Sequence, residues 1–186
     1  RNDDAAGGSS GNGNIPSMSG TLANYSFGNT PAAEANQLQW HKIINGDKTL
    51  LICDRVILTS VSWDALNAAG YVTGKVVTID GARYKCRLMT GGSNYRNNDQ
   101  YAGGTPTNNE WDRFVSREEV ITGLPAPLSS DLDTTMNSTD HSSTHNNFWH
   151  WVGVYSWCQE TYTGDASYRA VRGYSSARVW NFNSSS

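Results

Sequence analysis

Half of the aromatic side chains of this 186-residue chain fall in one short stretch: ten of the twenty Phe, Trp and Tyr residues lie between Phe148 and Phe182. Large rings left in water forfeit roughly 1.5–3 kcal/mol apiece, so this stretch belongs to the folded body and is not a loose tail. Within "FWHWVGVYSWCQETYTGDASYRAVRGYSSARVW" two kinds of position interleave. One kind is structurally demanding: Trp149, Trp151, Gly153, Trp157, Gln159, Glu160, Arg169, Arg172, Gly173, Ala177, Arg178 and Trp180. The other is chemically miscellaneous: His150, Val152, Val154, Tyr155, Tyr168, Ala170, Val171, Tyr174, Val179, Asn181 and Phe182. Strand periodicity sends alternate side chains to opposite faces, so the demanding set is expected inward and the miscellaneous set outward.

The rest of the chain bounds the answer. Its length suits one domain with a real core. Seventeen acidic and fourteen basic residues give a net charge of −3, with no basic footprint for nucleic acid. No apolar run approaches the roughly 20 residues that span a bilayer, so no membrane insertion is expected. Residues 1–20, rich in Gly, Ser and Asn, cannot bury enough surface to offset their ordering and read as a flexible arm or linker before a domain at 21–186. The odd count of cysteines argues against a disulfide scaffold; Cys53 and Cys86 read as small buried hydrophobes.

Local signals give an α+β class of mixed short strands, one or two helices and long loops. "TLLICDRVIL" is strand-like, and Ser62 is a good N-cap for a helix from Trp63 to about Ala69, stopped by Gly70. "GKVVTIDGARYKCRL" reads as a hairpin closed by Asp80-Gly81, with Val76 and Thr78 alternating against Tyr84, Cys86 and Leu88. Residues 91–109 and 129–147 read as long polar loops, and "EWDRFV" as a short structured piece between them. The end returns to strand alternation.

"WDALNAAG", "CRLMTGG", "NNEWDRF", "HNNFWHW", "SWCQE" and "RGYSSARVW", in this order, resemble the target proteins of diversity-generating retroelements, in the phage and archaeal-virus branch. The resemblance covers roughly residues 40–186. It implies a C-type-lectin-like fold of the formylglycine-generating-enzyme-like branch, with a variable region at about 148–186 displayed as a binding surface. It also implies that variation enters at adenines, mostly of AAC or AAT codons. Such changes reach every residue of the miscellaneous set but never Trp, Lys, Glu, Gln or Met. Trp149, Trp151, Trp157, Gln159, Glu160 and Trp180 therefore stand as fixed positions, and no Lys, Glu, Gln or Met follows residue 160.

The expected function is recognition without chemistry, of a protein or glycan ligand on a host or cell surface, with display on a virion or cell. A face of Tyr, Asn, Ser and small residues resembles an antibody paratope, where Tyr supplies contact area at low rotamer cost. The ligand-binding candidates are the miscellaneous set, from His150 to Phe182. Rival readings are a calcium-dependent lectin, an enzyme built on the same fold, and a structural virion or envelope subunit. No cofactor is expected beyond a structural calcium, for which Asp131, Asp133 and Asp140 are weak candidates; the alternative is that these aspartates cap turns. His141 and His145 have i, i+4 spacing, but in a Ser/Thr/Asn loop, and with His41 and His150 they read as solvated loop histidines. Glu110, Asp112 and Arg113 read as salt-bridge residues beside a buried Trp111. Arg169, Arg172 and Arg178 are expected to fix carboxylates such as Glu160 or loop carbonyls.

Overall fold

The structure, a computed structural model, describes residues 28–30, 32–33, 37–58, 60–133 and 148–186. The proposed arm at 1–20, with His141, His145 and Asp140, lies outside the described residues, as does the side chain of Asp133. The class is α+β: short antiparallel strands with few helices.

A first hairpin joins β1 (Trp40–Asn45) to β2 (Lys48–Cys53). Its pairing places His41, Ile43, Leu50 and Ile52 on one face, and that face is turned to the core, while Ile44 points outward and is 71% exposed. Helix α1 (Trp63–Ala68) starts as its sequence suggests: the Ser62 hydroxyl accepts from the Ala65 N–H at 3.2 Å, and Trp63 and Leu66, one turn apart, are buried. β3 (Lys75–Ile79) and β4 (Ala82–Cys86) form the second hairpin. Asp80 and Gly81 both take positive φ, 50° and 79°, the geometry of a tight primed turn that suits the strands' twist. The inward side chain here is Val77; Val76 is 56% exposed, so the expected alternation holds with the opposite phase at that strand.

The stretch expected as pure loop holds a two-residue ladder, β5 (Asn94–Tyr95) with β6 (Gly104–Thr105). Next, Trp111–Val115 winds as one π-helical turn and buries Trp111, Phe114 and Val115. Ser129–Asp133 forms α2. The C-terminal stretch is ordered as β7 (Tyr155–Thr161), β8 (Tyr168–Gly173) and β9 (Trp180–Ser184), an antiparallel sheet with β8 in the middle.

Trp111, Phe114, Val115, Trp149 and Trp151 pack with Ile43 and Ile52 in one core. Trp63, Leu66, Tyr71 and Val72 form a second around α1, and Cys158, Ala170 and Trp180 a third under the sheet. Four indoles in or against these cores also tie two distant segments, while the Trp149 N–H is buried without a hydrogen-bond partner. Trp63 donates to the Cys158 carbonyl, Trp111 to Ala177, Trp157 to Val61 and Trp180 to Gly92, all at 2.8–3.0 Å. Burying an indole N–H with its acceptor avoids the cost of an unmet donor. Trp149, Trp151 and Trp180 are buried as expected, and Trp157 is half-buried.

Two cysteine expectations need correction. Cys53 and Cys86 are only half-buried, because each ends a two-stranded hairpin whose outer side stays open. The fully buried thiol is Cys158, between the sheet and Gly91.

Candidate ligand-binding face

The frame of the site is a buried charge cluster. From β8, Arg172 donates through Nε to the Val179 carbonyl at 2.9 Å, through Nη1 to the Gly91 carbonyl at 2.8 Å, and through Nη2 to Asp112 Oδ1 at 2.5 Å. The other Asp112 oxygen accepts from the Gly104 N–H, Asn109 Nδ2 and Arg96 Nη2 at 2.6–2.9 Å. Both oxygens of that carboxylate are engaged, with three donors on one and Arg172 on the other, which offsets the cost of burying it. The loop at 91–112 is thereby locked to β8 and to the approach to β9. Gly91 must be glycine here, since a Cβ would stand 2.4 Å from the Cys158 sulfur.

The structural reading of the arginines holds for Arg172, with Asp112 as partner; Glu160 instead accepts from the Gly91 N–H at 3.0 Å. Arg169 lies over the Trp63 ring at 4.4 Å and donates to the Ala166 carbonyl, and Arg178 reaches Glu118 at 3.9 Å. Glu110 pairs with Arg87, and Arg113 with Glu119. Burial pushes the Glu110 carboxyl up, but Arg87 and the Thr90 N–H outweigh it and hold the group below its ordinary range.

The miscellaneous set divides. His150, Val152, Ala170, Val171 and Val179 are buried, at 2% exposure or less, and are not display positions. Ala170 and Val171 are adjacent yet both enclosed, because β8 is the central strand and both of its faces are covered; alternation there separates two interiors. His150 is held with positive φ and its Nε2 lies 3.5 Å from Asp54 Oδ2, a carboxylate that also receives a two-pronged contact from Arg55. Val152 is enclosed in the same core as Trp149 and Trp151, and the Val179 carbonyl is taken by Arg172 and by the Gly173 N–H.

Tyr155, Tyr174 and Phe182 are exposed, and Val154, Tyr168 and Asn181 half-buried. They form two groups. Tyr155 and Tyr174 stack at 4.8 Å with their planes 16° apart, and Asn181 Nδ2 donates to the Tyr155 hydroxyl at 3.2 Å. On the opposite face of β9, Phe182 stacks on Tyr162 at 4.4 Å and meets the edge of Tyr168 at 5.1 Å. The single contiguous face expected from the sequence is therefore two aromatic patches, separated by the sheet because neighbouring residues 181 and 182 point apart.

Tyr174 carries the most telling backbone. Its φ is +83°, a region that bulky side chains rarely adopt, and it is pinned there by bonds from its N–H to the Trp151 carbonyl and from the Gly153 N–H to its own carbonyl. The strain holds the ring flat against Tyr155 at the surface. Tyr155, but not Tyr174, also borders a cavity of about 1130 Å³, lined by, among others, Leu58, Val77, Val154, Trp157, Arg87 and Glu110. Tyr162, stacked on Phe182, was missed by the sequence reading; its signal was only its place in an aromatic-rich run.

Asp131 is buried, and its Oδ2 accepts the Leu128 N–H at 2.9 Å, a turn-capping bond. Its Oδ1 is buried without a hydrogen-bond partner. Among the described residues no group of three or more His, Cys, Asp and Glu side chains is placed to hold a metal ion. His41 is buried rather than solvated, stacked on Phe148 at 3.8 Å with its Nε2 2.8 Å from the Phe148 carbonyl oxygen. No described helix is long and apolar enough to cross a membrane. Comparison with known protein families, curated proteins and solved structures finds no match for this chain.

Proposed function

We propose that the protein is a ligand-binding display protein, a retroelement-diversified target protein on a C-type-lectin-like scaffold of the formylglycine-generating-enzyme-like branch. Its C-terminal sheet presents variable side chains to a protein or glycan on a host or cell surface, and it performs no chemistry of its own. The observation that supports this reading is the separation of labour around β8. The residues no adenine change can create, such as Trp149, Trp151 and Trp180, are buried, while Tyr155, Tyr174 and Phe182 stand at the surface. Tyrosine pairs with an adjoining Asn give area and adaptable hydrogen bonds at low entropic cost, the composition of a paratope. The cavity that Tyr155 borders, lined by apolar side chains together with Arg87 and Glu110, gives a protruding group of the ligand somewhere to go.

The test is genomic. A near-repeat of the sequence encoding 148–186, beside a reverse-transcriptase gene, is expected, with mismatches confined to adenines. They should fall on the codons of Val154, Tyr155, Tyr168, Tyr174, Asn181 and Phe182, and spare those of Ala170 and Val171. A locus without such a repeat, or with mismatches spread over the buried positions, overturns the reading.

A further inference from the structure

We propose that the outer edge of β9 is a strand-addition site for an extended, uncharged peptide segment of a partner protein. This rests on the ligand-binding reading and names the class of ligand that one of the two aromatic patches takes. The hydrogen-bond parity of β9 locates the edge. Gly173 N–H donates to the Val179 carbonyl and Ser185 N–H to the Ser167 carbonyl, so the odd-numbered positions face β8. Trp180, Phe182 and Ser184 therefore direct their backbone groups away from the sheet, and among the described residues no further strand pairs there.

One rung of an outer ladder already exists. The Trp180 N–H donates to the Gln100 carbonyl at 2.9 Å, so the segment carrying Gln100 fills the position beside Trp180, where Tyr95 of β5 also packs on the indole. The next two outward N–H groups are satisfied only provisionally. Phe182 donates to Asn181 Oδ1 at 2.8 Å and Ser184 to Asn183 Oδ1 at 2.9 Å, each to the side chain of the residue just before it. An incoming peptide carbonyl can replace either acceptor without breaking any bond of the sheet.

The surroundings suit such a guest. A cleft of about 260 Å³ borders this edge, lined by Tyr95, Asn98, Gln100, Trp180, Asn181 and Phe182, with no charged side chain among them. Natural edge strands are commonly blunted by Lys, Pro or an inward charge. Trp180–Ser184, "WNFNS", has none of these. In strand addition, main-chain bonds supply affinity and a pocket for alternate side chains supplies specificity. Here the rungs at 182 and 184 would supply the first, and the neutral cleft the second.

The experiment pans a displayed library of random linear peptides on the immobilised full chain, then measures synthetic versions of the enriched peptides by fluorescence anisotropy. The proposal expects uncharged peptides whose affinity falls roughly tenfold or more when alternate backbone amides are N-methylated, each methyl removing one rung. Ser184→Pro, which deletes one outward N–H but no bond to β8, should weaken them comparably, while Tyr155→Ser on the other patch should not. No enriched peptide, or binding indifferent to N-methylation, overturns the proposal even if Ser184→Pro fails to fold. Binding lost with Tyr155→Ser but kept with Ser184→Pro overturns the edge site and leaves the display reading standing. Failure of the display reading itself shows separately, in the missing template repeat.

Discussion

Arg172 Nη2 donates to Asp112 Oδ1 across sixty residues of chain, with neither side chain exposed to solvent. This one contact joins the central strand of the C-terminal sheet to the π-helical turn that carries Trp111. Replacing Asp112 by Ala leaves the Arg172 guanidinium buried and uncompensated. Urea unfolding of that variant should show a loss of about 3–5 kcal/mol. An unchanged midpoint would mean that the sheet is not held through this pair.

The indoles give a graded expectation. Trp180 is completely buried and bonded to the Gly92 carbonyl, so Trp180→Ala should cost about 3–5 kcal/mol. Trp157 is half-buried and should cost less, although it too ties its strand to the Val61 carbonyl. Thermal melts of the two variants check both the size and the order of the effects.

Thiol chemistry separates Cys86 from Cys158. Burial pushes the Cys86 thiol up to about 11, so its modification by a disulfide reagent should be slow at neutral pH and accelerate steadily as pH approaches that value. Cys158 is enclosed, and burial raises it well above its ordinary value; it should react only as fast as the protein unfolds. Rapid native-state labelling of Cys158 would contradict the packing of β7 against Gly91.

Glu110 gives the pH dependence a sign. Its carboxyl lies below its ordinary value of 4.5 in the folded chain, so the unfolded chain takes up the proton first as pH falls. The Glu110–Arg87 pair therefore contributes stability above that value and loses it as pH drops through the folded pKa. Glu110→Gln should lower stability at neutral pH and make the acid limb of a pH–stability curve shallower. Equal acid sensitivity of the two proteins would argue against the pair.

How much of this was legible follows from the range of the interactions. The β3–β4 turn and α1 were readable because Asp80-Gly81 and Ser62 carry their own local geometry. β1 was missed: "WHKIIN" gains its meaning only when Ile43 meets the core opposite Leu50. The exposed side chains of the C-terminal sheet were half readable. Period-2 alternation identifies which side chains share a face, but cannot say that both faces of β8 are covered, which is what buries Ala170 and Val171. Nor could it pair His150 with Asp54, ninety-odd residues away, or show that Tyr155 and Phe182 look in opposite directions. These depend on tertiary packing, and local pattern carries no record of it.

Tyr174 offers a balance of opposing effects. Tyr174→Gly relieves the left-handed backbone, a gain of about 1–2 kcal/mol, against which stand the added freedom of the unfolded chain, about 0.4–1 kcal/mol, and the lost stack on Tyr155, about 0.5–1.5 kcal/mol. The melting temperature should move little. A large fall would show that the ring supports the fold and is not merely displayed.

The central claim is that the C-terminal sheet separates a fixed frame from a tolerant surface. It is tested most directly by saturating each position from Trp149 to Phe182 and scoring folded protein by resistance to proteolysis on a display platform. The account predicts broad tolerance at Val154, Tyr155, Tyr168, Tyr174, Asn181 and Phe182. It predicts sharp intolerance at His150, Val152, Ala170, Val171, Arg172, Val179 and Trp180, where packing and buried partners leave no room. If Tyr155, Tyr174 and Asn181 prove as intolerant as Ala170 and Trp180, the surface is part of the core and the display account is wrong.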